Sequence, residues 1–365
     1  MRLLQVVAEL RPGGAERIVL ELLDDARRHG DTVAVASAGG PWVARLDPAV
    51  THFDVPLRWR STVATLTAGW PLRAAVRGFR PDVVHAHNLR ATVAVAAALS
   101  TVAARPRLLT TVHGLAPPDY TAAARLLRMT RARVVACAPA VARSLQAAGF
   151  PASRIEIILN GAALLPPAAS QVDALRAQLG VGDRPLVVGI GRLAAQKSWT
   201  TLIEAMRRVE GADALVAGEG PMRESLEAAA ATGGRVRFVG AVADVASLLH
   251  LADCVVSTST WEGLPLSLLE ALSLGRPVVA TAVDGVRDII PPDAALLVPP
   301  HDPEAVATAI GRVLYDHGLA DRVSRRARTA ASAWTPERML TDYRRCYAAI
   351  CAQEGAIRRP APPRS

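Results

Sequence analysis

Of the 42 basic residues in this 365-residue chain, only Lys197 is not arginine. A composition so poor in lysine suggests that the survivor stands where a compact, flexible ammonium is wanted rather than a guanidinium fork. Lys197 closes the segment Gly191-Arg192-Leu193-Ala194-Ala195-Gln196-Lys197, directly after the strand-like run LVVGIG. Arg192 and Lys197 on one loop past a strand suit a diphosphate, the arginine forking two oxygens and the lysine acting as a point charge. Two solvated surface cations are the competing reading. A second segment, Trp261-Glu262-Gly263-Leu264-Pro265-Leu266-Ser267-Leu268-Leu269-Glu270-Ala271, follows the apolar run CVVSTS. Its Gly- and Pro-containing turn leads into a helix, whose first N–H groups, at Leu264 and Leu266, would point towards a phosphate. Glu270 interrupts the apolar stretch LSLLEALSL. A buried carboxylate needs hydrogen-bond partners, and vicinal ribose hydroxyls or a neighbouring loop would each supply them. Glu262, before the helix, is placed to accept from sugar hydroxyls.

A third segment, Arg11-Pro12-Gly13-Gly14-Ala15-Glu16, joins the first strand-like run to a helix. Two glycines there let a ligand approach the backbone and the helix N-terminus. The pattern is not G-x-G-x-x-G, so the dinucleotide fingerprint is not met, and taken alone the segment reads more readily as a structural tight turn. Of the histidines, His113 follows the run RLLTTV, while His85 and His87 read as structural.

These loops need a scaffold of buried strands. In the first half LLQVVA, TVAVAS, DVVHAH, RLLTTVHG and RVVACA alternate with helical patterns such as Ala15–His29. Asn160 to Ser170 breaks the alternation with a turn and a Pro- and Ala-rich linker. It resumes with LVVGIG, ALVAGEG, RVRFVG, CVVSTS, PVVATA and ALLVPP, separated by helices such as Trp199–Val209 and Ser267–Leu274. β-Branched runs bounded by Gly, Pro and Asp, with helices between, predict buried parallel sheets. The expectation is α/β: two doubly wound, Rossmann-like domains facing each other across a cleft, with ligands at the carboxyl ends of strands. The domains are placed at 1–165 and 166–335, with a last helix at 336–354 packing back towards the first. In that helix Met339, Tyr343, Cys346 and Tyr347 share a face. From 355 the Pro- and Arg-rich end is expected to be a disordered tail.

Composition narrows the function. A single core stops growing near roughly 250–300 residues, so two domains are the default. Aromatics make up 4% of the chain, too few for a base-stacking nucleic-acid surface despite a pI near 10.3. Four scattered cysteines lack zinc spacing and suggest no disulfide framework. No secretory signal is evident, and no apolar run reaches the roughly 20 residues that span a bilayer. The chain is therefore expected in the cytoplasm. Residues 1–168 carry 20 Arg against 11 Asp and Glu, a net +9, and the rest sum to zero. The arginines cluster at Arg58, Arg60, Arg73, Arg77, Arg80 and Arg90, and again over Arg125–Arg133. This half would meet an anionic partner: a membrane surface, to which the protein would be peripheral, or an anionic acceptor. A basic composition without a partner fits equally well.

Taken together, the segments resemble the retaining glycosyltransferases of family 4, which have the GT-B fold. Glu262 to Glu270 resembles the family's E-x7-E, and Gly191–Lys197 its G-R-L-x-x-x-K. GGAE at 13–16, DVVHAHN at 82–88, TVHG at 111–114, Asn160-Gly161, GEGP at 218–221 and LLV-P before residue 300 fall in the family's order. The resemblance implies a nucleoside diphosphate sugar as donor, a hydroxyl acceptor, and no cofactor or metal. It implies that Gly14 offers its N–H to the donor phosphate and that Arg192 and Lys197 neutralise the leaving diphosphate. Glu262 would hold the transferred sugar, Gly263, Leu264, Pro265 and Leu266 would grip phosphate and sugar by their backbone, Glu270 would bind the ribose, and His113 would face the sugar. The chain departs from the family at Ser198-Trp199, where glycine usually follows the lysine, at Ala162-Ala163 and at Cys137-Ala138.

No Asp-x-Asp occurs in the chain, so charge on the leaving diphosphate would fall to Arg192, Lys197 and the helix start. Retention without an evident carboxylate nucleophile fits the front-face mechanism associated with the family. The acceptor class stays open among a glycan, a lipid-linked or otherwise anionic molecule and a small molecule. Two alternatives stand beside transfer: a nucleotide-sugar epimerase-like enzyme and a non-catalytic nucleotide-sugar-binding protein. Nucleic acid is not expected as a partner.

Overall fold

The computed structural model describes residues 1–57, 69–103, 106–233 and 235–352. Arg58, Arg60 and the expected tail from 355 lie outside the described residues. The chain divides into two compact units: Met1–Leu159 with the described residues from Glu337 onward, and Asn160–Pro336.

The first unit is built on seven strands: β1 (Arg2–Val6), β2 (Thr32–Ser37), β3 (Thr51–Asp54), β4 (Val83–His87), β5 (Arg107–Val112), β6 (Arg133–Ala136) and β7 (Ile155–Ile157). They form one sheet in the order β3-β2-β1-β4-β5-β6-β7, every pair parallel. Five of them are the apolar runs of the sequence. β3 and β7 were not expected. Both are edge strands and neither has a fully buried residue, so neither needs an apolar run.

Alternation along the central strands divides their side chains between two faces. Leu4, Val6, Val84 and Ala86 join Ala34 and Ala36 in a core closed by Leu72, Val76 and Phe79 of the helix Gly69–Phe79 and by Ala91, Ala94 and Val95 of Asn88–Leu99. Gln5, His85, His87 and Thr111 take the other face, all nearly inaccessible. The helix Pro336–Ala352 brings Tyr343 and Tyr347 to that face, where they bond to Thr111, His85 and Gln5. Arg344 adds a forked pair to Asp25 of the helix Gly14–Arg28 at 2.6 and 2.7 Å.

The second unit holds the six expected strands: β8 (Leu186–Ile190), β9 (Asp213–Ala217), β10 (Val236–Gly240), β11 (Cys254–Ser257), β12 (Val278–Thr281) and β13 (Leu296–Val298). Their order is β10-β9-β8-β11-β12-β13, again all parallel. Strand order reverses between β8 and β11, which opens a crevice at their carboxyl ends. The helix after β8 ends at Met206 rather than Val209, and the one after β11 runs Leu266–Ser273.

Candidate functional site

The loops leaving β8 and β11 are hydrogen-bonded to each other. Thr260 N–H donates to the Gln196 carbonyl at 2.8 Å, and the Thr258 hydroxyl to the Lys197 carbonyl at 2.9 Å. Glycines let the first loop lie this close. A Cβ at Gly218, where φ is +153°, would stand 2.0 Å from the Gly191 carbonyl oxygen, and one at Gly220 2.2 Å from that of Leu193. The GEGP turn is thus a backbone rest for the Arg192 loop. Trp199, 2% exposed, packs over Gly189 and donates its indole N–H to the Arg192 carbonyl at 3.0 Å. The Arg192 backbone is pinned while its side chain is exposed.

Lys197 is drawn inward. Its Nζ donates to Glu262 Oε1 at 2.5 Å, with side-chain exposures of 14% and 8%. The Ser259 hydroxyl donates to the same oxygen at 2.6 Å, and Gln196 Nε2 reaches Trp261 O at 3.0 Å and Glu262 Oε2 at 3.4 Å. Ser259 and Gln196 went unnoticed in the sequence. The one available signal was that Ser259 precedes Glu262 by a single turn at a strand end.

Ser198, which stands where the family usually has glycine, is left-handed at φ 46°, ψ 46°. That region favours glycine and costs other residues roughly 1–2 kcal/mol. The Ser198 hydroxyl meets that of Thr201 at 3.0 Å.

The turn after Glu262 is fixed from two sides. Asn160 Nδ2 donates to the Leu264 carbonyl at 3.0 Å, and Gly285 leaves room for the Gly263 carbonyl, 1.9 Å from where a Cβ would lie. Pro265 caps the helix Leu266–Ser273, and the Ser267 hydroxyl reaches back to the Ile190 carbonyl at 3.4 Å. Glu270, one turn into that helix, is 4% exposed. Arg192, Lys197, Glu262, Gly263, Leu264, Pro265, Leu266 and Glu270 therefore all belong to the switch-point loops of the second unit and the helix that follows them. Among the described residues no cluster of His, Cys, Asp or Glu is placed to hold a metal ion.

Gly14 and His113 belong to the first unit. Gly14 is the exposed first residue of the helix Gly14–Arg28. His113 follows β5 half-buried, its Nε2 3.0 Å from Nδ1 of His87. Burial lowers His85 to about 3 and His113 to about 4, and holds His87 well below its ordinary value, so all three rings are neutral near pH 7. His85 and His87, read from sequence as structural, form a hydrogen-bonded group with His113. The spacing H-x-H on a strand, which puts both rings on one face, was the signal for it.

Comparison with known proteins decides the family. Residues 12–164 match Glycosyltransferase Family 4, and residues 184–316 match Glycosyl transferases group 1. The chain belongs to family 4 of the glycosyltransferases. This glycosyltransferase is 29% identical over 349 residues to the lipopolysaccharide core biosynthesis glycosyltransferase LpsD of Rhizobium meliloti, covering 90% of this chain and 93% of the relative. It is 29% identical to the 2-deoxystreptamine N-acetyl-D-glucosaminyltransferase of Streptomyces fradiae, covering 94% of this chain and 90% of the relative. Its fold is similar to that of Anabaena HepE, solved with UDP-glucose, at a TM-score of 0.84 and 22% identity over 96% of this chain and 100% of that one. Two parallel Rossmann-like sheets in a family 4 chain are the GT-B architecture.

Proposed function

We propose that this glycosyltransferase moves a hexosyl-type sugar from a nucleoside diphosphate sugar to a hydroxyl acceptor with retention and without a metal. The observation that carries the reading is the Lys197–Glu262 pair, held with the Arg192 loop at the carboxyl ends of β8 and β11. An ammonium has three donors, and Glu262 engages one, leaving Lys197 able to bind a diphosphate oxygen without giving up its partner. Arg192, exposed on the pinned loop, forks a second pair of oxygens. Both cations oppose the charge that grows on the leaving diphosphate, where electrostatic stabilisation acts on the transition state. Among the described residues Glu262 Oε2 is held only by Gln196, at 3.4 Å, so that oxygen can accept from a sugar hydroxyl. The backbone of Gly263–Leu266 grips phosphate and sugar, Glu270 accepts from the ribose, Gly14 adds an N–H, and His113 faces the sugar. The leaving phosphate takes the acceptor proton, which requires no carboxylate base.

The test is release of free nucleoside diphosphate from a panel of donors, with and without acceptor, in buffer containing EDTA. Acceptor-dependent release in EDTA is expected. Turnover without an acceptor would favour an epimerase-like reaction, binding without turnover a non-catalytic protein, and a strict need for Mg²⁺ or Mn²⁺ would overturn the metal-free reading.

Two observations favour a membrane-side acceptor. On the helix Tyr120–Met129, Arg125 and Arg128 share an exposed face with Leu126 and Met129, which are 38% and 80% exposed. Trp70, 77% exposed, lies under the Arg73 guanidinium at 5.7 Å. Among the described residues no helix is long and apolar enough to cross a membrane, and such a face would rest on an anionic surface from the cytoplasmic side. Co-sedimentation with anionic but not neutral vesicles is expected; indifference to lipid charge would leave a small-molecule or glycan acceptor.

A further inference from the structure

Three histidines and two tyrosines of the first unit are joined in one hydrogen-bonded chain, of which the proposed donor contacts use His113 alone. His113 Nε2 lies 3.0 Å from His87 Nδ1, with the two rings stacked 5.4 Å apart. His87 Nε2 lies 2.8 Å from Gln5 Oε1, and Gln5 Nε2 donates to the Tyr347 hydroxyl at 3.2 Å. That hydroxyl lies 2.8 Å from His85 Nδ1, and His85 Nε2 lies 2.8 Å from Thr111 Oγ1, which meets the Tyr343 hydroxyl at 2.9 Å. Gln5, His85, His87, Thr111, Tyr343 and Tyr347 are each at most 4% exposed. Only His113, at one end, is open to a ligand.

A neutral imidazole has one donor and one acceptor nitrogen, so the protons of this chain are not independent. The Gln5 amide oxygen can only accept, and His87 therefore donates from Nε2. Its Nδ1 can then only accept, so His113 donates from Nε2 and keeps a lone pair on Nδ1. On the other side the Gln5 amide N–H donates to Tyr347, whose O–H turns to His85 Nδ1, and His85 Nε2 donates to Thr111. Half a turn of the Gln5 amide would exchange every donor and acceptor between it and His113. The burial that keeps all three rings neutral is what gives the amide this control.

We propose that Gln5, held by Tyr347 of the C-terminal helix, is a positioning residue that sets His113 in its Nε2–H tautomer through His87. Nδ1 of His113 is then the acceptor for a hydroxyl of the transferred sugar. This last step rests on the sugar-facing role proposed above; the tautomer does not.

Long-range ¹H–¹⁵N spectra of the histidine-labelled full chain at pH 7 read the tautomer directly. Wild type is expected to show His113 as Nε2–H, and both Gln5→Leu and Tyr347→Phe to show a mixture of tautomers. A merely structural loss would lower stability without moving that signal. Gln5→Leu should also lower kcat in proportion to the Nε2–H fraction lost, about twofold for an even mixture and at most about tenfold, while the donor KM changes little. Tyr347→Phe preserves the ring packing and keeps the test open if Gln5→Leu folds poorly. His113 found as Nδ1–H in wild type, or as unchanged Nε2–H in both variants, would overturn the relay. A shifted tautomer with unchanged kcat would uphold the relay and count against the sugar contact alone.

Discussion

Replacing Lys197 by methionine removes the ammonium that Glu262 holds at 2.5 Å in a setting where the two side chains are 14% and 8% exposed. Breaking a buried ion pair from one side costs about 3–5 kcal/mol, because the other charge is left without its partner. Glu262 keeps the Ser259 hydroxyl at 2.6 Å and the Gln196 amide at 3.4 Å. Those donors should reduce the loss to about 2–3 kcal/mol, since a hydrogen bond to a charged group contributes about 1.5–3 kcal/mol. For a unit of this size that is a fall of about 4–12 °C in the calorimetric transition of residues 160–336. Glu262→Met leaves the ammonium stranded and should cost a similar amount. The double variant should lose less than the two singles together, by about 1.5 kcal/mol or more, because neither charge is then abandoned. The same Lys197 variant should lose about 10²–10³ in turnover. Single losses that add within about 0.5 kcal/mol would show that the pair is not coupled. Near-normal turnover would remove Lys197 from the diphosphate.

Further outcomes follow from the same geometry. Glu270→Gln should weaken the sugar donor and free nucleoside diphosphate alike, whereas Glu262→Gln should weaken only the intact donor; titration calorimetry with both ligands checks the division, and equal losses would refute it. Ser198→Gly should hold or raise stability, by up to ~1 kcal/mol, as left-handed strain is relieved against a more flexible unfolded chain. A clear drop in its melting temperature would contradict the strain argument. The histidines make the first unit acid-sensitive. His113 falls from an ordinary 6.5 to about 4 in the fold, so between those values the unfolded chain binds more protons. Stability present above about pH 6.5 should therefore fall as pH drops towards 4. Melting curves from pH 7 to pH 4 should show this loss, and His113→Asn should reduce it.

Much of the scaffold was written in one-dimensional form. A strand buried on both faces is mostly apolar, so the central strands stood out as runs such as LVVGIG or CVVSTS, even where Gln5, His85 and His87 interrupt them. The margins β3 and β7 face solvent, carry no such run, and were missed. The switch-point loops were legible because their chemistry is local: a lone lysine, two carboxylates eight apart, and glycines where backbones meet.

What the sequence determined by itself was therefore the alternation of elements, the family, and the residues that carry charge near the strand ends. Only the tertiary structure decided their partners. Nothing in the spacing of Lys197 and Glu262, 65 residues apart, says that they form an ion pair, because the pairing depends on β8 lying beside β11. Nothing in Gln5 and Tyr347, 342 residues apart, says that they share a hydrogen bond, because that depends on the last helix covering the polar face of β1 and β4. Periodicity reports which face a residue takes; which atom it meets there depends on strand order and on the chain segment that closes the face.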